Sequence, residues 1–519
     1  MRMIQHLHTA DRAAGRLRDA LIDPARRERN AAVTLIAFAA VWTLYGVLAK
    51  ASQGIHFDMA ELADLAGHFA FGNAKNPPFA IWLTAAWFAV FPHADWAFYL
   101  LSMICIAVAL GAAWRLYGRV LDPDKKVLAL AAIGLVPLLT FHALKFNNNV
   151  LMIPLWMLTT LWFVRSFEER RLLDAALAGI AAAAAVMTKY WSVFLIVGMM
   201  AAVLCDRRRD VYFRSPAPWV TAACGALALA PHVLWLTANH FLPFSYALLV
   251  HGSRGFGGSV MSVIGYLAGA IGYGAPVVLV ALIATRPTRA AVADMLMPPD
   301  GPRRFIAVAF WTMLLAPVPV ALATGSQIVS LWTMPVWPLL PAVMLSSPAL
   351  SVSRAALSRV VALAVAFPII VVAMAPGIAL IIHRNGSAGQ AAYYQPLAQA
   401  VQRDWSAVTS HPLAYVGGDG NLAYGVAFYL PRPATAYPDF NPILAPWVRP
   451  QALIRDGIAL ICPAEEDGCV ERIKAYAANA PSFRINESTL VDRFWGSDGA
   501  AARYVIVVVP PQTAVAGGR

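Results

Sequence analysis

Residues 360–382 read VVALAVAFPIIVVAMAPGIALII, a run without one charged side chain. As a helix rising 1.5 Å per residue it reaches about 34 Å, enough to cross a hydrocarbon core about 30 Å thick. Comparable runs lie at 31–49, 96–114, 127–144, 149–164, 175–188, 190–205, 217–236, 262–284, 305–323 and 328–346. Of the 519 residues, 59% are hydrophobic and 13% charged, against roughly 25% charged in soluble chains. Continuous apolarity lets each segment satisfy its backbone as a helix, unlike the alternating pattern of a barrel. The expected fold is an α-helical polytopic membrane protein with about eleven transmembrane helices, plus interfacial ones.

The net charge of +12 is not gathered on one face, so it implies no nucleic-acid partner. It falls in short clusters between apolar runs: Arg115, Arg119, Lys125 and Lys126; Arg165, Arg170 and Arg171; Arg207, Arg208, Arg209 and Arg214; Arg286, Arg289, Arg303 and Arg304; Arg354 and Arg359. With residues 1–30 as a cytoplasmic basic tail, every cluster lands in the cytoplasm, as the positive-inside rule asks. That assignment requires the short run Phe79 to Phe91, between Pro77-Pro78 and Pro92, not to cross. Residues 57–92 therefore read as one outer loop carrying two interfacial helices. The module at 31–383 is the membrane part.

From about Arg384 to residue 519, Gly, Asp and Pro rise and strands alternate with helices, the pattern of a small α/β domain. Helices are expected near 396–405, 422–430 and 468–477, and strands near 413–417, 457–461 and 504–509. Parity puts this domain outside. Cys462 and Cys469 both lie in it, and there they either form a disulfide or stay unpaired.

Polar residues unusual for a membrane chain then collect on the outer face. Asp58 and Glu61, three apart, share a helix face; a carboxylate there acts as a general base, or Asp58 merely caps a helix over 59–71. Lys75-Asn76-Pro77-Pro78 offers a cation for a lipid phosphate, or a lysine that snorkels. Lys145, Asn147, Asn148 and Asn149 offer donors and acceptors for a sugar or a phosphate, or a polar turn. Lys189 with Tyr190 interrupts an apolar hairpin, and an intramembrane lysine is a functional candidate by default. The glycine-rich stretch from His251 through Arg254 to Ser259 is a flap over substrate or a linker. It lacks the Gly-Lys-Ser/Thr ending of a phosphate-binding loop. No metal-ligand spacing is visible; Asp58 with Glu61 could hold a divalent ion, but nothing demands one.

The outer acidic motif at Asp58 and Glu61, the Asn76-Pro77-Pro78 entry, the amide loop at 147–149 and Thr188-Lys189-Tyr190 together resemble the polyprenol-dependent glycosyltransferases of the GT-C fold. The family 39 type includes protein O-mannosyltransferases and the aminoarabinose and galacturonic acid transferases of lipid A. The resemblance covers about residues 31–250. It implies Asp58 as catalytic base, Glu61 as acidic partner, and Lys189 on the phosphate side of the donor. Two residues separate Asp58 from Glu61, where the family commonly has Asp-Glu adjacent. Asn147 to Asn149 stand where it usually has an Asp.

The activity so implied is inverting transfer of a sugar from a polyprenyl-phosphate donor to an envelope glycolipid, polysaccharide or protein acceptor. It would occur at the outer face of a bacterial inner membrane, among membrane lipids, with no cofactor required. The alternative from another class is a transporter or flippase for a lipid-linked or small polar substrate; a structural scaffold would leave the outer polar cluster unexplained.

Overall fold

The structure, a computed structural model, describes residues 14–252, 255–386 and 393–512. Among them seven helices are long and apolar enough to cross a membrane: Arg27–Ala49, Asp95–Tyr117, Asn148–Glu169, Ala217–Ala238, Gly255–Thr285, Gly301–Thr324 and Arg354–Asn385. The chain is a multi-pass membrane protein. The remaining apolar runs are not unbroken spans. Residues 127–144 form a pair bent by 72°, Pro123–Ile133 and Pro137–Leu144, parted at Gly134 and restarted at Pro137. Residues 175–188 and 190–205 become the shorter helices Leu172–Val186 and Tyr190–Leu204.

The run at 328–346 departs furthest from expectation. It folds as a 3-10 helix, Ser330–Leu339, followed by the short α-helix Leu340–Met344. Pro335, Pro338 and Pro341 recur every third residue, and each removes an N–H that an α-helix would use. A three-residue repeat suits the 3-10 geometry instead. Tight helix contact appears elsewhere. A Cβ on Gly179 would meet the Thr221 carbonyl oxygen at 2.2 Å, so the helices Leu172–Val186 and Ala217–Ala238 touch backbone to backbone, as small residues permit in membranes.

The described residues fall into two compact units. The first runs up to Leu44 and includes Phe71–Ala80 and Tyr99–Val371. Its amino-terminal portion is tied down rather than a loose tail: residues 14–22 are helical, and Arg18 donates to Ser358 Oγ at 2.6 Å. The second unit gathers Tyr45–Ala70, Ile81–Phe98 and everything from Val372 onward.

In that second unit lies the α/β fold. Five strands, β1 (Tyr415–Gly418), β2 (Thr435–Pro438), β3 (Ile458–Pro463), β4 (Arg484–Phe494) and β5 (Ser497–Val509), are ordered β2-β1-β3-β5-β4. β1 runs parallel to β2 and β3; β5 is antiparallel to both β3 and β4. Every residue of β3 is buried, which makes it the centre of the core with Val470, Ile473, Val505 and Val507. Cys462 on β3 is disulfide-bonded to Cys469 on the helix Asp467–Ala478, with Cα atoms 5.8 Å apart. Expected helices near 396–405, 422–430 and 468–477 are present as Tyr394–Ser406, Gly420–Tyr429 and Asp467–Ala478.

Candidate active site

The run around Asp58 forms the helix Phe57–Ala66, ten residues or about 15 Å long. It is too short to cross, as is Phe79–Phe88. Met59, Ala60, Leu62, Ala63 and Leu65 are buried, each large side chain contributing about 1.5–3 kcal/mol. They pack the helix against Gly420–Tyr429 of the same unit. Tyr429 fixes the neighbourhood: its hydroxyl accepts from the Ile55 N–H and donates to Asp95 Oδ1, both at 2.8 Å.

The helix begins two residues earlier than expected for an Asp58 cap, and ends at Ala66 rather than Phe71. His56 is the N-cap: its Nδ1 accepts from the Asp58 N–H at 3.1 Å. That bond leaves Nδ1 without a proton, so the Asp58 carboxylate 3.6 Å away is not held by it as an ion pair. Asp58 stands in the first turn with its side chain 24% exposed, where the helix dipole favours negative charge. Glu61 follows one turn on.

A third carboxylate, Asp64, lies at i+6 from Asp58, about 120° further round the same helix. The Ala436 N–H, on the open edge of β2, donates to its Oδ1 at 2.7 Å, a helix covering a strand edge. Its Oδ2 is sealed from solvent with no hydrogen-bond partner among the described residues. Burial pushes the Asp64 carboxyl up to about 7, with Glu61 adding to the rise and the Ala436 bond opposing it.

The cationic candidates belong to the first unit. Asn73 Oδ1 accepts from the N–H groups of Lys75 and Asn76 at 2.8 and 2.9 Å, an Asx turn that sets the Lys75-Asn76 backbone. After Pro77-Pro78, the Phe79 N–H donates to the Met187 carbonyl at 2.9 Å, which satisfies a helix-start donor.

The three amides are not equivalent. Asn147 caps the helix Asn148–Glu169, its side chain accepting from the Asn149 and Val150 N–H groups. Asn148 buries an Oδ1 with no partner among the described residues. Asn149 accepts from Lys189 Nζ at 2.8 Å. The same ammonium sits 4.4 Å above the Trp332 ring, a cation–π arrangement. Trp332 in turn packs edge-on to Trp191. Lys145 ends the preceding 3-10 turn.

Tyr190 is held by a residue the sequence did not flag. His232 Nδ1 donates to the Phe71 carbonyl at 2.6 Å, so its Nε2 is the bare nitrogen that accepts from the Tyr190 hydroxyl at 3.0 Å. His251 ends the helix Leu242–His251; its side chain, and Arg254, lie outside the described residues. Among the described residues, no three His, Cys, Asp or Glu side chains gather as a metal site.

Asp58 and Glu61 thus share one helix, and Asn149, Lys189 and Tyr190 share a cluster in the other unit. Residues 75–235 match the family model described as dolichyl-phosphate-mannose-protein mannosyltransferase. That match marks the chain as a glycosyltransferase. The fold is similar to that of ArnT from Cupriavidus metallidurans. The structure bound to undecaprenyl phosphate aligns with a TM-score of 0.61 at 14% identity, over 94% of this chain and 99% of that one. The apo structure aligns with a TM-score of 0.59 at 13% identity, over 91% and 97%. Comparison with curated proteins by sequence gives no match. The GT-C layout expected from the sequence is present.

Proposed function

We propose that this glycosyltransferase moves a sugar from a polyprenyl phosphate to an acceptor in the bacterial cell envelope, at the outer face of the inner membrane. The observation that carries the reading is the capping of the Phe57–Ala66 helix by His56, which puts Asp58 in the first turn of that helix rather than at its cap. The matched family and the ArnT bound to undecaprenyl phosphate support a lipid-phosphate donor for this chain.

Asp58 takes the proton from the acceptor hydroxyl or amine as that atom forms a bond to the sugar C1. The bond from C1 to the phosphate oxygen breaks on the opposite face, which inverts the anomeric centre. The electron pair leaves with polyprenyl phosphate. Lys189, kept in place by Asn149 and Trp332, and Lys75, placed by the Asn73 turn, serve the phosphate as cations. Glu61 keeps the acidic stripe hydrogen-bonding to the acceptor.

The test is a membrane assay with polyprenyl-phosphate sugar donors and envelope fractions as acceptor, product followed by mass spectrometry. Asp58→Asn abolishes product while the protein still inserts and keeps its thermal midpoint. Full activity in that variant removes the assignment.

A further inference from the structure

A second polar site opens where the Phe57–Ala66 helix ends. A cleft of about 340 Å³ in the second unit is lined by Asp64, His68, Phe88, His93 and Thr435, with small apolar residues such as Ala434 between them. Six residues from Asp58, Asp64 lies about 9 Å further along the helix axis, so the cleft is not the space around the proposed base. Among the described residues, no Lys or Arg lines it.

Asp64 sits there in an unfinished state. One oxygen is committed to the Ala436 N–H, and the other is buried without a partner among the described residues. Ionised, that oxygen is an uncompensated charge; protonated, it is an unsatisfied donor. Each costs about 1–3 kcal/mol or more. Both neighbouring imidazoles are driven below their ordinary range by burial, His68 to about 4 and His93 in the same direction. Neither supplies a cation near neutrality. His68 is stacked on Trp447 at 4.2 Å and His93 on Phe88 at 4.3 Å, so each of these rings has one face covered by its neighbour.

We propose that this cleft is a binding site for a ligand bearing a primary ammonium group, with the Asp64 carboxylate as its ionic partner once that side chain turns its sealed oxygen into the cleft. An ammonium donates to the bare oxygen with a charge-assisted bond, roughly twice as strong as one from a neutral hydroxyl. A neutral hydroxyl would not gain that strength. The ammonium belongs to a lipid headgroup or to a free amine, and the cleft recognises the chemistry they share. The inference does not depend on Asp58 being the base.

Full-length protein in phosphatidylcholine nanodiscs, at about pH 8 so that Asp64 is mostly ionised, is titrated by calorimetry with ethylammonium chloride and separately with ethanol. Ethylammonium binds saturably and ethanol does not. Asp64→Asn weakens ethylammonium at least about 10-fold, whereas Asp58→Asn leaves it unchanged. Including phosphatidylethanolamine in the nanodisc weakens free ethylammonium by competition if the headgroup is the occupant, and leaves it unchanged if a free amine is. Equal responses to ethanol and ethylammonium overturn the proposal, as does wild-type binding by Asp64→Asn. Should that variant fail to fold, Ala434→Trp fills the cleft with Asp64 intact, and retained binding there overturns it as well.

Discussion

The carboxylates and the cations of this enzyme are assembled by opposite means. Asp58, Glu61 and Asp64 lie on ten consecutive helical residues, and the group that caps that helix is Asp58's near neighbour His56. Lys189 depends on Asn149, 40 residues away. Tyr190 depends on His232, 42 residues away, which is itself set by Phe71 at a separation of 161. A local arrangement tolerates change elsewhere in the chain. A long-range one holds only as well as the helices that bring its members together.

The largest break in that comparison should come from Asp58→Asn. Loss of a general base costs about 10²- to 10⁴-fold, read as kcat in the membrane assay with KM for donor little moved. An effect under about 3-fold would mean that the acidic stripe is structural.

Asp64 gives the next largest effect, and it appears in stability. Its folded value of about 7 lies above the ordinary 3.8, so between these the folded state holds a proton that the unfolded state has lost. Stability therefore falls as pH rises from about 4 to 7, by at most about 1.4 kcal/mol per pH unit. The contribution is fully present below pH 4. Asp64→Asn should flatten that slope in thermal melts of the detergent-solubilised protein. An unchanged slope would place the titrating group elsewhere.

Lys189→Met comes third. Removing a charged hydrogen-bond donor costs about 1.5–3 kcal/mol, roughly 10- to 150-fold, and it should appear mainly in KM for the lipid-phosphate donor. A defect in kcat alone would separate this lysine from the phosphate. The smallest effect is His232→Phe, which keeps a ring in place but takes away the Tyr190 acceptor. One neutral hydrogen bond is worth about 0.5–1.5 kcal/mol, so a loss of about 2- to 10-fold in kcat/KM should result. A larger loss would show that Tyr190 touches substrate.

What the sequence made legible follows the same division. Seven of the long spans and three helices of the α/β domain rest on local periodicity, and the described residues show them near the expected bounds. Lys189 could be singled out because charge is rare in an apolar hairpin. Its partner could not, since three adjacent asparagines look alike until the fold turns Asn147 to a cap and Asn149 to the lysine. His232 was invisible inside an apolar run. β4 was missed because its burial alternates only between exposed and half-buried, and because its hairpin turns on Trp495-Gly496, both at positive φ. Asn or Gly, rather than Trp, usually signals the first position of such a turn.

The proline triplet at 335, 338 and 341 bears on how the chain is made. A segment that cannot wind into an α-helix has little to gain from partitioning into lipid by itself. Ser330–Leu339 is instead enclosed by Asn148–Glu169, Gly255–Thr285 and Gly301–Leu315, all translated before it. Biogenesis therefore has an order written into it: a prefabricated shell first, and then a plug that only the shell can welcome.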